Sequence, residues 1–368
     1  MAKQREFHDG QQDGLTPLES LDLDRATSFA ALLRGMSRTA FGGRALGEAF
    51  EVTLAMVKDP ACKVVVTLSG AMTIAKMGKV IAKMIDAGMV QAIVSTGALM
   101  AHGLSEAVGM VHYRHDPRMS DEELFEKGYN RVYDTLEMEA NLNYVEEFTS
   151  RALENLTGQL SSEIICRELG RLLAQDKQGT GVLRSAYEKG VPVYVPAFTD
   201  SELGLDLATW SMRKARENGP HEPLSTVPSF NPYLDLNSFA RFCLGAERLG
   251  IFTIGGGVPR NWAQEVAPYI EIMNHRLGTE LKPPRYRYAV RICPEPTHWG
   301  GLSGCTYSEG VSWGKFVPAE EGGRFAEVYA DATTVWPLLV KGVLEELGES
   351  AATEQVAAGR AENSRKRR

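Results

Sequence analysis

Lysine is one of the few side chains able to attack carbon directly, and residues 309–315, Glu309-Gly310-Val311-Ser312-Trp313-Gly314-Lys315, set one in surroundings suited to such an attack. A lysine next to a glycine and close to a tryptophan can be withdrawn from water, and a desolvated amine is neutral and nucleophilic more often, ready to form an imine with a carbonyl or another imine. Glu309 could hold a cationic substrate, and the face of Trp313 could add a cation–π contact. The segment follows Gly300-Gly301-Leu302-Ser303-Gly304, a glycine-rich stretch with freedom to turn. The same residues also fit a surface lysine beside a buried tryptophan, so composition alone leaves both readings open.

A reacting lysine has to be positioned by something rigid, and the chain alternates strand-like and helix-like segments. Lys63–Leu68 (KVVVTL) is a β-branched run suited to a buried strand, and Ser69-Gly70-Ala71 is the turn after it. Met77, Val80, Ile81, Met84 and Ile85 recur at helical spacing opposite Lys76, Lys79 and Lys83, and Gly88 stands where a C-terminal cap belongs. Val90–Thr96 reads as a second buried strand, completing a right-handed parallel βαβ unit. Residues 121–175 carry helical spacing, and Val191–Pro196 reads as a strand ending in a polar loop. Ile251–Ile254, Gly255-Gly256-Gly257 and Asn261–His275 repeat strand, glycine turn and helix. Tyr286–Ile292 and Glu327–Ala330 are further strands, the latter before a helix through Leu347. The fold class predicted is α/β, a doubly wound, mostly parallel sheet. Residues 1–25 are expected to be a flexible N-terminal arm, 26–347 a single large domain and 348–368 a disordered tail ending in Arg365-Lys366-Arg367-Arg368, to which no function is given.

Ligands of open parallel sheets bind beyond the carboxyl ends of the strands. Here those ends carry Ser69-Gly70-Ala71, Ser95-Thr96-Gly97, Thr199-Asp200, Gly255-Gly256-Gly257 and Asp331. Small residues let backbone amides approach a pyrophosphate and helix N-termini favour its charge, so a dinucleotide is the natural ligand. Asp200 or Asp331 could then accept hydrogen bonds from ribose or amide groups. The G-x-G-x-x-G signature is absent, and glycine turns also serve plain packing in any α/β fold.

Composition narrows the field. Across 368 residues, 40 Lys and Arg against 47 Asp and Glu give a net charge of −7, which speaks against an extended nucleic-acid-binding surface. No run approaches the roughly 20 apolar residues of a membrane span, and the polar N-terminus lacks a signal-peptide core, so the expectation is a cytoplasmic protein without membrane association. Cys62, Cys166, Cys243, Cys293 and Cys305 include no C-x-x-C pair, so neither a structural zinc site nor a disulfide framework is expected, and no metal is assigned.

The lysine segment resembles the E-A-V-S-W-G-K motif of the deoxyhypusine synthase family, which contains the lysine of a covalent imine intermediate. The resemblance covers roughly residues 60–345. Pro196-Ala197-Phe198-Thr199-Asp200 with Leu203-Gly204 is similar to the family's P-A-L-T-D-x-x-L-G, Ile254–Val258 to its L-G-G-G-V, and Val328–Ala332 to its V-Y-A-D-A. This implies a Rossmann-like fold, a homotetramer with sites at dimer interfaces, bound NAD and a polyamine or diamine substrate. In the implied chemistry NAD oxidises an aminobutyl donor such as spermidine to an imine, the lysine takes up the butyl group, and an acceptor amine receives it before reduction, with no net redox change. The resemblance makes Lys315 the imine lysine, with Glu309 and Trp313 in the polyamine pocket. It also places Ser69, Gly70, Ala71, Met72 and Thr73 at a first nucleotide-contacting turn, Ser95, Thr96 and Gly97 at a second, and Asp200, Gly256, Asp331 and Ala332 at further NAD positions.

Departures from the family pattern bear on the substrate. Where the family reads G-G-V-E-E-D, this chain reads Ala98-Leu99-Met100-Ala101-His102-Gly103, so two carboxylates are missing and His102 stands in for one. The family's G-S-D becomes Gly300-Gly301-Leu302, its histidine after G-G-G-V becomes Asn261, and an acid after L-G becomes Leu205, with Asp206 one place out of register. Burying a cationic amine without paired acids costs on the order of several kcal/mol. A pocket with Asn261, His102, Gly300 and Asp206 should therefore take an amine of different length or charge pattern, unless acids such as Glu295 compensate. His298 could be a second recognition residue or an ordinary loop histidine. The leading expectation is an NAD-dependent aminobutyl or related alkylamine transferase with a small-molecule acceptor, as in homospermidine formation or self-condensation of an amine such as agmatine. The alternative is deoxyhypusine synthase proper, acting on a protein lysine with spermidine as donor. A non-catalytic NAD-binding module and an NAD-consuming deacylase are different classes kept in view, although the C-x-x-C zinc ligands usual in the latter are absent.

Overall fold

A computed structural model describes residues 5, 7–176, 179–219, 227–301 and 304–365, with backbone alone at 218 and 349–365. In chain order, α1 (Phe29–Ser37) and α2 (Phe41–Lys58) lead into β1 (Cys62–Leu68), α3 (Gly78–Asp86), β2 (Ala92–Ser95) and α4 (Gly97–Ala107). Next come β3 (Tyr113–Arg114), α5 (Asp121–Glu126), β4 (Tyr129–Val132), β5 (Thr135–Met138), α6 (Glu139–Leu153), β6 (Gln159–Leu160), α7 (Ser162–Gln175), α8 (Val182–Lys189) and β7 (Val193–Tyr194). The second half runs α9 (Glu202–Asn218), β8 (Ser229–Phe230), α10 (Pro232–Leu244), β9 (Arg248–Ile254), α11 (Gly257–Gln264), α12 (Val266–Leu277), β10 (Tyr286–Ile292), α13 (Tyr307–Ser312), β11 (Arg324–Val328) and α14 (Ala332–Arg365).

Six strands form one sheet in the order β11-β10-β9-β1-β2-β7, all parallel, which is the doubly wound α/β class read from the sequence. The β-branched run of β1 is covered on both faces. Val64 and Val66 join one core, with α1–α4, α6–α9 and α14, while Val65 joins the other, with α10–α13. From β1 the sheet grows through β2 to β7, then the chain returns to lay β9 on the free edge of β1, so the topological switch point falls between β1 and β9. No helix among the described residues is long and apolar enough to cross a membrane, and all five cysteines are free.

Four stretches differ from the sequence reading, each for a physical reason. The helical spacing over 121–175 hides β4 and β5, which join β3 in a three-stranded antiparallel sheet, β3-β5-β4, whose strands are too short for a period of two to stand out. The helix expected over Asn261–His275 is broken at Glu265 into α11 and α12. Pro268 has no N–H to give the Gln264 carbonyl and its ring would crowd that oxygen, so it is tolerated only in the first turn of a new helix. The last helix runs past Leu347 to Arg365, through a stretch expected to be disordered but rich in the helix formers Ala, Glu and Gln; residues 366–368 of the basic cluster lie outside the described residues. Within the expected arm 1–25, Glu19 N–H donates to the Arg38 carbonyl at 3.0 Å and Arg38 Nε donates to Glu19 Oε2 at 2.6 Å, which docks that part of the arm beside α1.

Asp59 ties the lower end of the sheet together. It accepts from Arg248 Nε and Nη2 at 2.7 and 2.8 Å and from the Tyr288 hydroxyl at 3.1 Å. The Arg248 hydrogen bonds, against the opposing effect of burial, hold its carboxyl at about 2 instead of the ordinary 3.8. The folded value lies below the unfolded one, so the stabilisation is present above about pH 4 and is lost as pH falls toward about 2. Asp59→Asn should therefore lower stability at pH 7 by about 1–2 kcal/mol in urea unfolding, with a clearly smaller difference at pH 3.

Candidate active site

Lys315 is 6% exposed, and its Nζ donates to Glu265 Oε1 at 2.8 Å and Asn261 Oδ1 at 3.4 Å. Backbone contacts fix its position: the Lys315 carbonyl accepts from Tyr286 N–H at 3.0 Å, and Phe316 bridges in parallel to the same residue at the start of β10. Gly314, at φ 68°, reverses the chain between α13 and that bridge, a conformation cheap only for glycine. Arg260 Nη2 donates to the Cys305 carbonyl at 2.9 Å and joins the lysine loop to α11. Glu265 stands at the helix break and Asn261 one turn before it, so the break presents both oxygens to the same amine. Trp313 is 62% exposed with its ring centroid 5.7 Å from Lys315 Nζ, and Glu309 is exposed on α13. Glu265 pairs with the buried Lys315 side chain and lies within hydrogen-bond reach of its amine, the distance over which a proton can be exchanged.

Three helix N-termini meet at the carboxyl edge of the sheet: α4, capped by Thr96; α9, capped by Ser201; and α11, which follows Gly256 without a side-chain cap. Beneath them Ser69, Ser95, Thr96, Gly97, Asp200 and Gly257 line a crevice of about 150 Å³. Uncapped amides, small residues and helix dipoles fit a pyrophosphate, although this volume holds only part of a dinucleotide. A Cβ on Gly97 would collide with Ser201 Oγ, so glycine is what lets α4 and α9 start side by side. Ser69 Oγ accepts from Gly256 N–H at 2.9 Å and donates to the Ile254 carbonyl at 3.0 Å, which holds the turns after β1 and β9 together at the switch point.

Other expected cofactor positions lie around this crevice without lining it. Gly70 (φ 74°) and Ala71 form the turn after β1, and Met72 packs on the core. Thr73 is buried with its hydroxyl donating to the Leu99 carbonyl at 2.7 Å. Asp331 accepts from the N–H and Oγ1–H of Thr333 at 2.6 and 2.8 Å, starting α14, and Ala332 is buried in the core. Both follow β11, the outermost strand, two strands from the switch point.

The expected substrate residues divide between the two layers. Lys315, Trp313 and Asn261 are on the α11 side, whereas α4 and α9, which carry His102 and Asp206, pack on the opposite face. His102 Nδ1 contacts Glu137 Oε2 and lines a cavity of about 460 Å³ with Glu139 and Glu202. Gly300 (φ 67°) ends a short 3-10 turn, His298 is exposed with its ring edge-on to Trp299, and Glu295 packs so closely on Gly301 that a Cβ there would collide with it. Leu302 and Ser303 lie outside the described residues. Glu265 and Glu271, whose Oε1 lies 3.1 Å from where a Cβ on Gly314 would sit, belong to no motif. The only sequence signal for Glu265 was Pro268, which marks the break beside it.

Burial pushes the Asp206 carboxyl up to about 7, and the nearby carboxylates Glu202 and Glu146 push the same way. The folded state then binds more protons than the unfolded chain between about pH 4 and 7, so stability falls across that window as pH rises. Asp206→Asn should remove this dependence, raising stability at pH 8 by on the order of 2–4 kcal/mol and leaving it nearly unchanged at pH 4 in denaturant unfolding.

A parallel sheet with a switch-point crevice beneath helix N-termini, and a buried lysine paired to a carboxylate, defines a doubly wound α/β fold that brings an amine and a carboxylate together beside its loops. The chain belongs to the deoxyhypusine synthase family, whose family model matches residues 31–343. Among its relatives, a "Probable deoxyhypusine synthase 2" of Methanosarcina acetivorans is 33% identical over 332 residues, 87% of each chain, and one of Archaeoglobus fulgidus is 32% identical over 84% of this chain and 96% of its own. A "Deoxyhypusine synthase-like protein" of Elusimicrobium minutum is 30% identical over 89% of this chain and 84% of its own. A crystal structure from Entamoeba histolytica, of a protein assigned as a deoxyhypusine synthase, shares the fold with a TM-score of 0.54 at 14% identity over 88% of this chain and 96% of that one. The family consists of NAD-dependent aminobutyl transferases acting on polyamines, with NAD as cofactor.

Proposed function

We propose that this protein moves a 4-aminobutyl or related alkylamine group from a polyamine or diamine to a small acceptor amine through an imine on Lys315. The observation that carries the reading is the buried Lys315 amine with Glu265 Oε1 2.8 Å away. NAD, when bound, supplies reversible two-electron oxidation at the donor's C–N bond. Glu265 takes a proton from Lys315, whose free electron pair forms the Nζ–C bond to the oxidised donor carbon. The donor's C–N bond breaks, its nitrogen leaves with the bonding pair, and the proton held by Glu265 goes to that nitrogen. Attack by the acceptor amine reverses the sequence: a new N–C bond forms, the Nζ–C bond breaks, Lys315 recovers a proton, and the imine left on the acceptor regains the two electrons taken from the donor, with no net redox change. Asn261 Oδ1 keeps the amine aimed throughout.

Glu265, Glu271 and Glu309, near or on the lysine loop, support binding of a cationic amine despite the acids missing from the family motifs. The exposed Trp313 and Glu309 and the small crevice support completion of the site by a second copy, in a homotetramer with sites at dimer interfaces. The replacement of two motif acids by Ala101 and His102 favours a small acceptor, whereas the names of the relatives favour transfer to a protein lysine. Incubation with NAD and spermidine, putrescine or agmatine, read by mass spectrometry, separates them: a condensed polyamine product is expected, and turnover only with a protein acceptor would select the second reading. Lys315→Arg should abolish transfer while leaving NAD affinity within about twofold, and Glu265→Gln should lower kcat by about 10²-fold. NAD binding with no turnover of any amine, unchanged in Lys315→Arg, would leave a non-catalytic module.

A further inference from the structure

On the layer opposite Lys315, two imidazoles and a carboxylate converge. His102 of α4, His112 just before β3 and Glu137 of β5 place ligand-competent atoms all within 4.8 Å of one another. The side chains of His112 and Glu137 are 0% and 1% exposed, and that of His102 is 22% exposed. His102 Nδ1 contacts Glu137 Oε2, while His112 Nε2 lies 3.2 Å from Glu137 Oε1 without the alignment of a hydrogen bond. These two buried polar atoms, one on each residue, thus meet as a close contact without an aligned hydrogen bond, although native interiors usually complete such bonds.

We propose that His102, His112 and Glu137 bind a divalent first-row transition-metal ion, zinc being the occupant the donor set suits. Two imidazole nitrogens and one carboxylate oxygen, without thiolates, form the three-ligand arrangement that leaves a position open. His102 and Glu137 also line the cavity of about 460 Å³ with Glu139 and Glu202, so an ion held by them would be reachable by a small ligand. The cysteine pattern pointed away from metal because this site uses no cysteine; its ligands come from a helix, a loop and a strand of the small antiparallel sheet, and they share no short motif.

One contact opposes occupancy. Lys76 Nζ contacts His112 Nδ1, and an ammonium donating there places the ring proton on Nε2, the atom the metal needs. Lys76 also lies 3.8 Å from Glu106, so it can turn to that carboxylate while the ring proton moves to Nδ1 and the Nε2 lone pair is released. Lys76 thus competes with the metal, and its removal should tighten binding. Lys76 sits at φ 63°, a left-handed conformation that asparagine tolerates, so Lys76→Asn removes the ammonium without straining the backbone. This proposal does not rest on the transferase reading, since it involves neither Lys315 nor NAD, and it gives His102 a metal in place of the substrate contact implied by the family motif.

The test uses the full chain stripped with EDTA and titrated calorimetrically with ZnCl₂, and in parallel with CoCl₂, whose low-coordinate complexes absorb visibly. The expected result is one zinc per chain, a cobalt band, binding weakened about tenfold or more in His112→Asn and Glu137→Gln, and binding tightened in Lys76→Asn. His102→Gln, at the cavity wall, is the variant to rely on if circular dichroism shows that the buried substitutions misfold. Absence of stoichiometric zinc binding in the parent, unchanged binding in folded His102→Gln, or weaker binding in Lys76→Asn would each overturn the site.

Discussion

An amine taken out of water must have a counter-charge within reach, and the contact between Lys315 Nζ and Glu265 is the constraint around which this region is arranged. Glu265 occupies that place because Pro268 ends one helix and allows another to start, which leaves the residue at a corner instead of on a continuous helical face. The lysine is carried there by a loop with no regular structure after α13, anchored by Gly314, by the bridge to Tyr286 and by Arg260 on the Cys305 carbonyl. A helix on one side and a strand on the other thus hold the amine to a single place, the pre-organisation that covalent chemistry demands.

The sheet serves this arrangement from a distance. Its switch point gathers three helix N-termini and the turns after β1, β2 and β9, so this crevice edge is a product of topology more than of any one motif. The cores on the two faces place the lysine on one layer and the histidine–glutamate cluster on the other. A single chain therefore offers a glycine-rich crevice at the sheet edge, a buried lysine–carboxylate pair and a separate polar cavity, with the indole of Trp313 still open to solvent.

What was legible in the sequence follows from how local each signal is. β1, β2 and β10 are runs of β-branched or aromatic residues buried on both faces, and such runs announce themselves without tertiary context. β7 is regular only at Val193 and Tyr194, because β2, its one neighbour, pairs with it at Ile93 and Val94 alone. The antiparallel sheet β3-β5-β4 was missed because its strands span two to four residues. Lys315 and Trp313 could be singled out from a contiguous motif, and the crevice residues from their places after strands. Glu265 could not, since its significance comes from docking against a loop distant in the chain, and neither could the convergence of His112 and Glu137 on His102.

The central claim, that the Lys315 amine forms a covalent bond to the transferred carbon, is tested most directly by borohydride reduction during turnover with NAD and a polyamine, followed by peptide mass mapping. The account predicts a reduced alkylamine adduct confined to the peptide carrying Lys315. Product formation with that peptide unmodified, or an adduct on a different lysine, would contradict it.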